Sequence, residues 1–165
     1  MKRRIFAVLL VLLSGLYCFA QTSGVEGEWQ AFKTTPEGAV FIGKITLQSG
    51  SSCKTCAAMG DGSIQGKIVW TLRRAGMKAA PGMAGKAGKT GTELVKGQMK
   101  GKGLLVLNGY QKNDPNNILA IDKYRLAVSD DGKVLGGLTL NNGPWTGQLI
   151  AIRPEPEPAP SSPSR

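Results

Sequence analysis

The sequence predicts an all-β fold, a single antiparallel meander of about eight strands forming a small barrel or sandwich. Apolar residues alternate with polar ones in run after run, while helical periodicity is nearly absent. Turn-forming Gly, Asn and Asp clusters separate the runs. Glycine, 23 of the 165 residues, also recurs inside the runs, as a tightly coiled sheet requires where it bends.

Strands are expected at 27–34, 39–48, 63–73, 92–99, 103–110, 121–129, 133–141 and 145–153. The first opens on Gly27-Glu28-Trp29. In the second, Phe41, Gly43, Ile45 and Leu47 share one face while Ile42, Lys44, Thr46 and Gln48 share the other. The third is the clearest, with Ile64, Gly66, Ile68, Trp70 and Leu72 opposite Gln65, Lys67, Thr71 and Arg73. The fourth and fifth, 92–99 and 103–110, follow a long glycine-rich connection. In the sixth, Tyr124, Leu126 and Val128 oppose Lys123, Arg125 and Ala127. Ser129-Asp130-Asp131-Gly132 then supplies hairpin chemistry, because Asp-Gly adopts the positive φ of a tight turn. Val134, Gly136, Leu138 and Leu140 give the seventh strand its parity, and Asn141-Asn142-Gly143-Pro144 turns the chain into the last.

Both termini read as non-core. Residues 1–20 carry a basic start (Lys2, Arg3, Arg4), an apolar run from Ile5 to Leu13, and Cys18-Phe19-Ala20 before Gln21. That is the layout of a signal peptide, and the apolar run falls short of the ~20 residues a membrane span needs. Tyr17 before Cys18 argues against a lipid anchor there. At the other end, residues 154–165 (PEPEPAPSSPSR) hold no large apolar side chain, so a disordered Pro-rich tail is expected. The folded domain is 24–153, with no transmembrane segment once the signal is removed, and the localisation is periplasmic or secreted.

Composition narrows the chemistry. With no histidine, every Ser-His-Asp and Cys-His arrangement is absent. Zinc and copper lose their commonest ligand, so neither metal nor cofactor is expected. Each Asp and Glu has a ready structural explanation in a turn or strand start, and no catalytic site is evident. The expectation is a binding protein, not an enzyme.

Two stretches carry other chemistry. Cys53 and Cys56 lie in a loop without the helix that lowers a redox thiol's pKa, and in an oxidising compartment they read as a structural disulfide. Residues 73–102 place eight basic side chains, Arg73, Arg74, Lys78, Lys86, Lys89, Lys96, Lys100 and Lys102, against the single acid Glu93. The glycine-rich part, 75–91, is expected to be a flexible loop that attracts an acidic envelope component. The interleaved aromatics of a single-strand binder are missing, which argues against nucleic acid.

Gly27-Glu28-Trp29 at the first strand and Arg153 after the last resemble the lipocalins and their calycin relatives. There a Gly-x-Trp opens the barrel, the Trp plugs its closed end and an arginine packs across the indole. The resemblance implies that Trp29 and Arg153 form the barrel plug; the mid-barrel Thr-Asp pair of lipocalins has no counterpart in this chain. It also implies a small apolar or amphipathic ligand in the interior or open mouth. The strand parity offers Phe41, Ile45, Ile68, Trp70, Leu72, Tyr124, Leu126 and Leu138 as lining. The alternative is an envelope interaction protein using the basic Gly/Lys-rich loop to bind an acidic partner or polyanionic surface.

Overall fold

The computed structural model describes residues 24–49, 63–77, 82–101, 103–141 and 145–155. The N-terminal 20 residues, Cys53, Cys56, Lys78, Lys102 and nearly all of the Pro-rich segment lie outside them. The described residues form a closed antiparallel barrel of eight strands in chain order. These are β1 Gly27–Thr34, β2 Val40–Ser49, β3 Ser63–Arg74, β4 Thr90–Lys100, β5 Leu104–Asn113, β6 Lys123–Val128, β7 Val134–Leu140 and β8 Gly147–Ile152. Closure is made by β8 on β1, with Ala31 opposite Ala151 and Phe32 opposite Ile150. A closed sheet leaves no unpaired edge. Among the described residues the only helix is one 3-10 turn, Ala84–Lys86, and none is long and apolar enough to cross a membrane.

Alternation sets the inside and outside. Trp29, Ala31 and Lys33 of β1 point inward, as do Phe41, Ile45 and Leu47 of β2 and Ile64, Ile68, Trp70 and Leu72 of β3. Val95, Leu105, Leu107, Tyr124, Leu126, Leu135 and Leu149 complete one continuous core. Phe41 and Trp70 meet edge to face, 6.4 Å between ring centroids. Gly43, beside them on β2, leaves room for this contact: a Cβ there would lie 2.4 Å from the Trp70 ring.

Two departures from the expected elements have physical causes. β4 starts at Thr90, not 92, because the preceding connection is tied to β3. Gly88 N–H donates to the Leu72 carbonyl at 2.7 Å, and Leu72 N–H to the Lys89 carbonyl at 3.0 Å. The second departure is Leu138, which lies outside the barrel at 42% exposure. Leu126, which faces inward, pairs with Gly137, so Arg125 and its partner Leu138 face outward. Position 137 admits no side chain inside, since a Cβ would sit 2.0 Å from the Arg125 carbonyl oxygen. In β7 it is Leu135, not Leu138, that enters the core.

Candidate binding site

One end of the barrel is stoppered. Trp29 is fully buried there, and its indole N–H donates to the Val25 carbonyl at 3.0 Å. The Arg153 guanidinium lies 4.3 Å over the Trp29 ring. Its Nε donates to the Gly132 carbonyl and its Nη1 to the Glu26 carbonyl, both at 2.8 Å, and its Nη2 bonds the Gly24 carbonyl. These contacts tie the last strand to the chain before the first.

The middle of the barrel is filled with side chains. Of the eight residues proposed as lining, Ile45, Ile68, Trp70, Leu72, Tyr124 and Leu126 are at most 1% exposed and pack against one another as core. Phe41 is also buried but reaches the open end, and Leu138 faces solvent. An eight-stranded barrel is just wide enough for its own side chains to occupy, and here they do so over most of its length.

Space remains at the open end, opposite Trp29. A cavity of about 330 Å³ is bounded by Lys33, Phe41, Asp122 and Thr139 from the strands and their approaches, with Glu37 and Leu119 from loops. Asp114 holds the 114–121 loop over this end. Its carboxylate accepts from the N–H groups of Ile118 (3.0 Å) and Leu119 (2.6 Å), and both of those side chains are buried.

The floor of the cavity is ionic. Lys33 Nζ donates to Asp122 Oδ2 at 2.6 Å, and both side chains are almost wholly shielded. The same ammonium sits 4.8 Å from the centroids of Phe41 and of Trp70, so two aromatic faces share its charge. A buried lysine needs such partners, since an isolated ammonium in a low-dielectric interior loses its charge or unfolds the site.

Beneath the pair lies a second polar layer. The Asp122 backbone N–H donates to Glu93 Oε1 at 2.7 Å, and the Tyr124 hydroxyl donates to Glu93 Oε2. Glu93 is fully shielded from solvent and packs against Gly109, where a Cβ would stand 2.0 Å from Oε1. Burial raises the Glu93 carboxyl to about 7, with the nearby Asp122 charge adding to the rise; the bonds from Tyr124 and Asp122 and the Lys33 charge oppose it. The Tyr124 hydroxyl is pushed well above its usual value, first by burial and then by the charges of Glu93 and Asp122. Lys33, Asp122 and Glu93 were not identified as site residues from sequence. Their signal was parity: Lys33 is in phase with Trp29 and Ala31, and Glu93 with Val95.

Among the described residues the predicted basic side chains fall into two groups. Arg73, Arg74, Lys86 and Lys89 stand at or beyond the open end of β3, and Lys86 Nζ bonds the Asn117 carbonyl at 3.3 Å. Lys96 and Lys100 lie further along β4 on the outer wall, beside a shallow groove of about 230 Å³ that also includes Val106 and Asn108.

No known protein-family model matches the chain, and no curated protein matches it. Among solved structures the chain is similar to a redesigned β-barrel, mFAP0, described in complex with DFHBI. The TM-score is 0.54 at 13% identity, covering 79% of this chain and 99% of that one. That likeness, with the strand order above, defines the class: a small closed antiparallel β-barrel.

Proposed function

We propose that this chain is an exported binding protein that holds a small amphipathic ligand at the open end of its barrel, without chemical transformation. The cavity over the Lys33–Asp122 pair carries the reading: it is the polar-floored recess into an otherwise filled barrel. Because Lys33 and Asp122 neutralise each other, the floor itself offers no net charge to a ligand, and the remaining charged side chain of this lining, Glu37, stands exposed at the mouth. Thr35, Thr139 and Asn141 add hydroxyl and amide groups around it, and Phe41, Ile118 and Leu119 add apolar surface. An uncharged, hydrogen-bonding head group with a short apolar body matches that lining. The neighbour mFAP0 is a barrel described with a small molecule bound, which is consistent with this use of the fold.

Titration with a medium-chain monoacylglycerol, followed by amide chemical shifts, tests the reading. Shifts centred on Thr35, Asp122, Thr139 and Asn141 are expected. Shifts confined to the outer wall, or none, would count against it.

A second reading has its own observation. Lys96 and Lys100 flank the groove on β4 and β5, and Lys123 and Arg125 project from neighbouring β6. This wall suits an acidic envelope partner, and such binding weakens as salt rises.

A further inference from the structure

The outer surface of the barrel is divided into two unlike halves. Around β1 the outward positions are almost free of charge: Gln30, Phe32 and Thr34 on β1, Gln148, Ile150 and Ile152 on β8, Gly136 and Leu138 on β7, Ile42 on β2 and Val69 and Thr71 on β3. Charged side chains stand only at its border: Lys44, paired with Glu28 at 2.6 Å, Lys67 and Arg73 on either side of Val69 and Thr71, and Arg125 opposite Leu138. The arc β4–β6, on the far side of the closed ring, carries Lys96, Lys100, Lys123 and Arg125 outward instead.

The uncharged half is also unusually apolar for a wetted surface. Phe32 is 44% exposed, Ile42 41%, Ile150 50% and Ile152 49%. Register places Gly136, Ile150, Phe32, Ile42 and Thr71 side by side across five strands. Ile150, Phe32 and Ile42 make a ridge, and Gly136 and Thr71 leave lower ground on either side. Nothing lies within 4 Å of a Cβ placed on Gly136. Grooves of about 480 Å³ and 670 Å³ flank Phe32, the first bounded by Gly136, Leu138 and Ile150, the second by Ile42, Val69 and Ile152. A ridge between two hollows is self-complementary under a two-fold axis, as an isologous contact requires.

We propose that this face is a docking surface for a second copy of the chain, forming a two-fold dimer with the ridge of each barrel in the groove beside the other's Ile150. Charge selects this occupant. The sequence has a net charge of +10, three of it from Lys2, Arg3 and Arg4, and the remainder is still strongly basic. Two copies therefore repel wherever basic walls approach, and the uncharged half is where they meet at least cost. An anionic membrane fits less well, because it would draw the basic arc towards it and turn Phe32 and Ile150 away. A dimer on this face leaves both basic arcs and both open ends accessible, so it does not depend on the ligand reading above.

Sedimentation velocity on the purified chain, from micromolar to near-millimolar concentration, tests the proposal. The expected result is a concentration-dependent rise from one chain mass to two, strengthened by added salt as repulsion between basic walls is screened. Phe32→Lys and Ile150→Lys should each weaken association by at least about thirtyfold, the effect of losing a central anchor. Their circular dichroism and melting should stay close to wild type, since both side chains lie outside the core. Lys123→Gln on the far arc should leave the dimer intact. A chain that stays monomeric throughout, dimerisation that weakens with salt, or a dimer that survives both ridge variants would overturn the proposal.

Discussion

Lys33 and Asp122, 89 positions apart in the chain, meet at 2.6 Å inside the open end of the barrel. β1 supplies the cation at its last inward position, and the approach to β6 supplies the anion. The two are locked against the aromatic pair Phe41 and Trp70, so the floor of the cavity is set by the same contacts that complete the core.

Breaking this pair from one side leaves a charge in the interior without its partner. Asp122→Leu and Lys33→Met are each expected to destabilise the barrel by about 3–5 kcal/mol. The double variant Lys33→Met with Asp122→Leu should recover most of that loss, because it removes both charges. Denaturant unfolding of the four proteins measures this, and simple addition of the two single losses would refute the coupling.

Glu93 gives the stability a pH dependence. Its folded-state pKa, about 7, lies above its ordinary value of 4.5, so the native state holds this proton more tightly than the unfolded chain. The stabilisation from this group is complete below about pH 4.5 and is lost as pH rises through about 7. The linked change amounts to about 3 kcal/mol. Unfolding measured between pH 5 and 8 should show stability falling with pH up to about 7 and levelling above it, and Glu93→Gln should flatten the slope. An unchanged slope in the variant would assign the dependence to other groups.

At the stoppered end, Trp29→Ala removes a fully buried indole and is expected to cost about 3–5 kcal/mol. Arg153→Lys keeps the charge but loses the planar stacking and the fan of bonds to Gly24, Glu26 and Gly132. A smaller loss, about 1–2 kcal/mol, is expected. Thermal melts compare the two, and equal stability of Arg153→Lys and wild type would show the guanidinium fan to be dispensable.

Gly43 is required by the Trp70 ring. In Gly43→Ala the new methyl would stand 2.4 Å and 2.7 Å from two ring carbons and 3.0 Å from the Val69 carbonyl. The ring must shift, at about 1–3 kcal/mol. A changed near-ultraviolet dichroism signal with lower stability is the expected outcome, and an unchanged spectrum would contradict it.

The strands were legible because alternation and turn chemistry agreed along most of the chain. Asp131-Gly132 made the β6–β7 hairpin visible, and Gly132 does adopt positive φ, 67°. Parity failed in β7, where Leu135 and Leu138 are equally apolar and only pairing with β6 decides which enters the core. Trp29 and Arg153 could be matched because each occupies a defined position at a chain end of the barrel. The Lys33–Asp122–Glu93 cluster could not, since three strands distant in sequence contribute one member each or its neighbour. The basic stretch looked continuous in sequence, yet Lys89 and Lys100 bracket a strand that rises about 3.3 Å per residue, which carries them to opposite ends of the barrel.

The ligand reading is tested most directly by mass spectrometry of the protein purified from its own host, native and then denatured, beside the variant Ala120→Trp. Ala120 borders the cavity from the loop and lies outside the core, so an indole there fills the opening without disturbing the barrel. The expected result is a discrete small-molecule adduct on the native wild-type protein, released on denaturation and absent from Ala120→Trp. A bare wild-type mass, or an adduct that persists in the variant, would contradict a ligand held over Lys33 and Asp122.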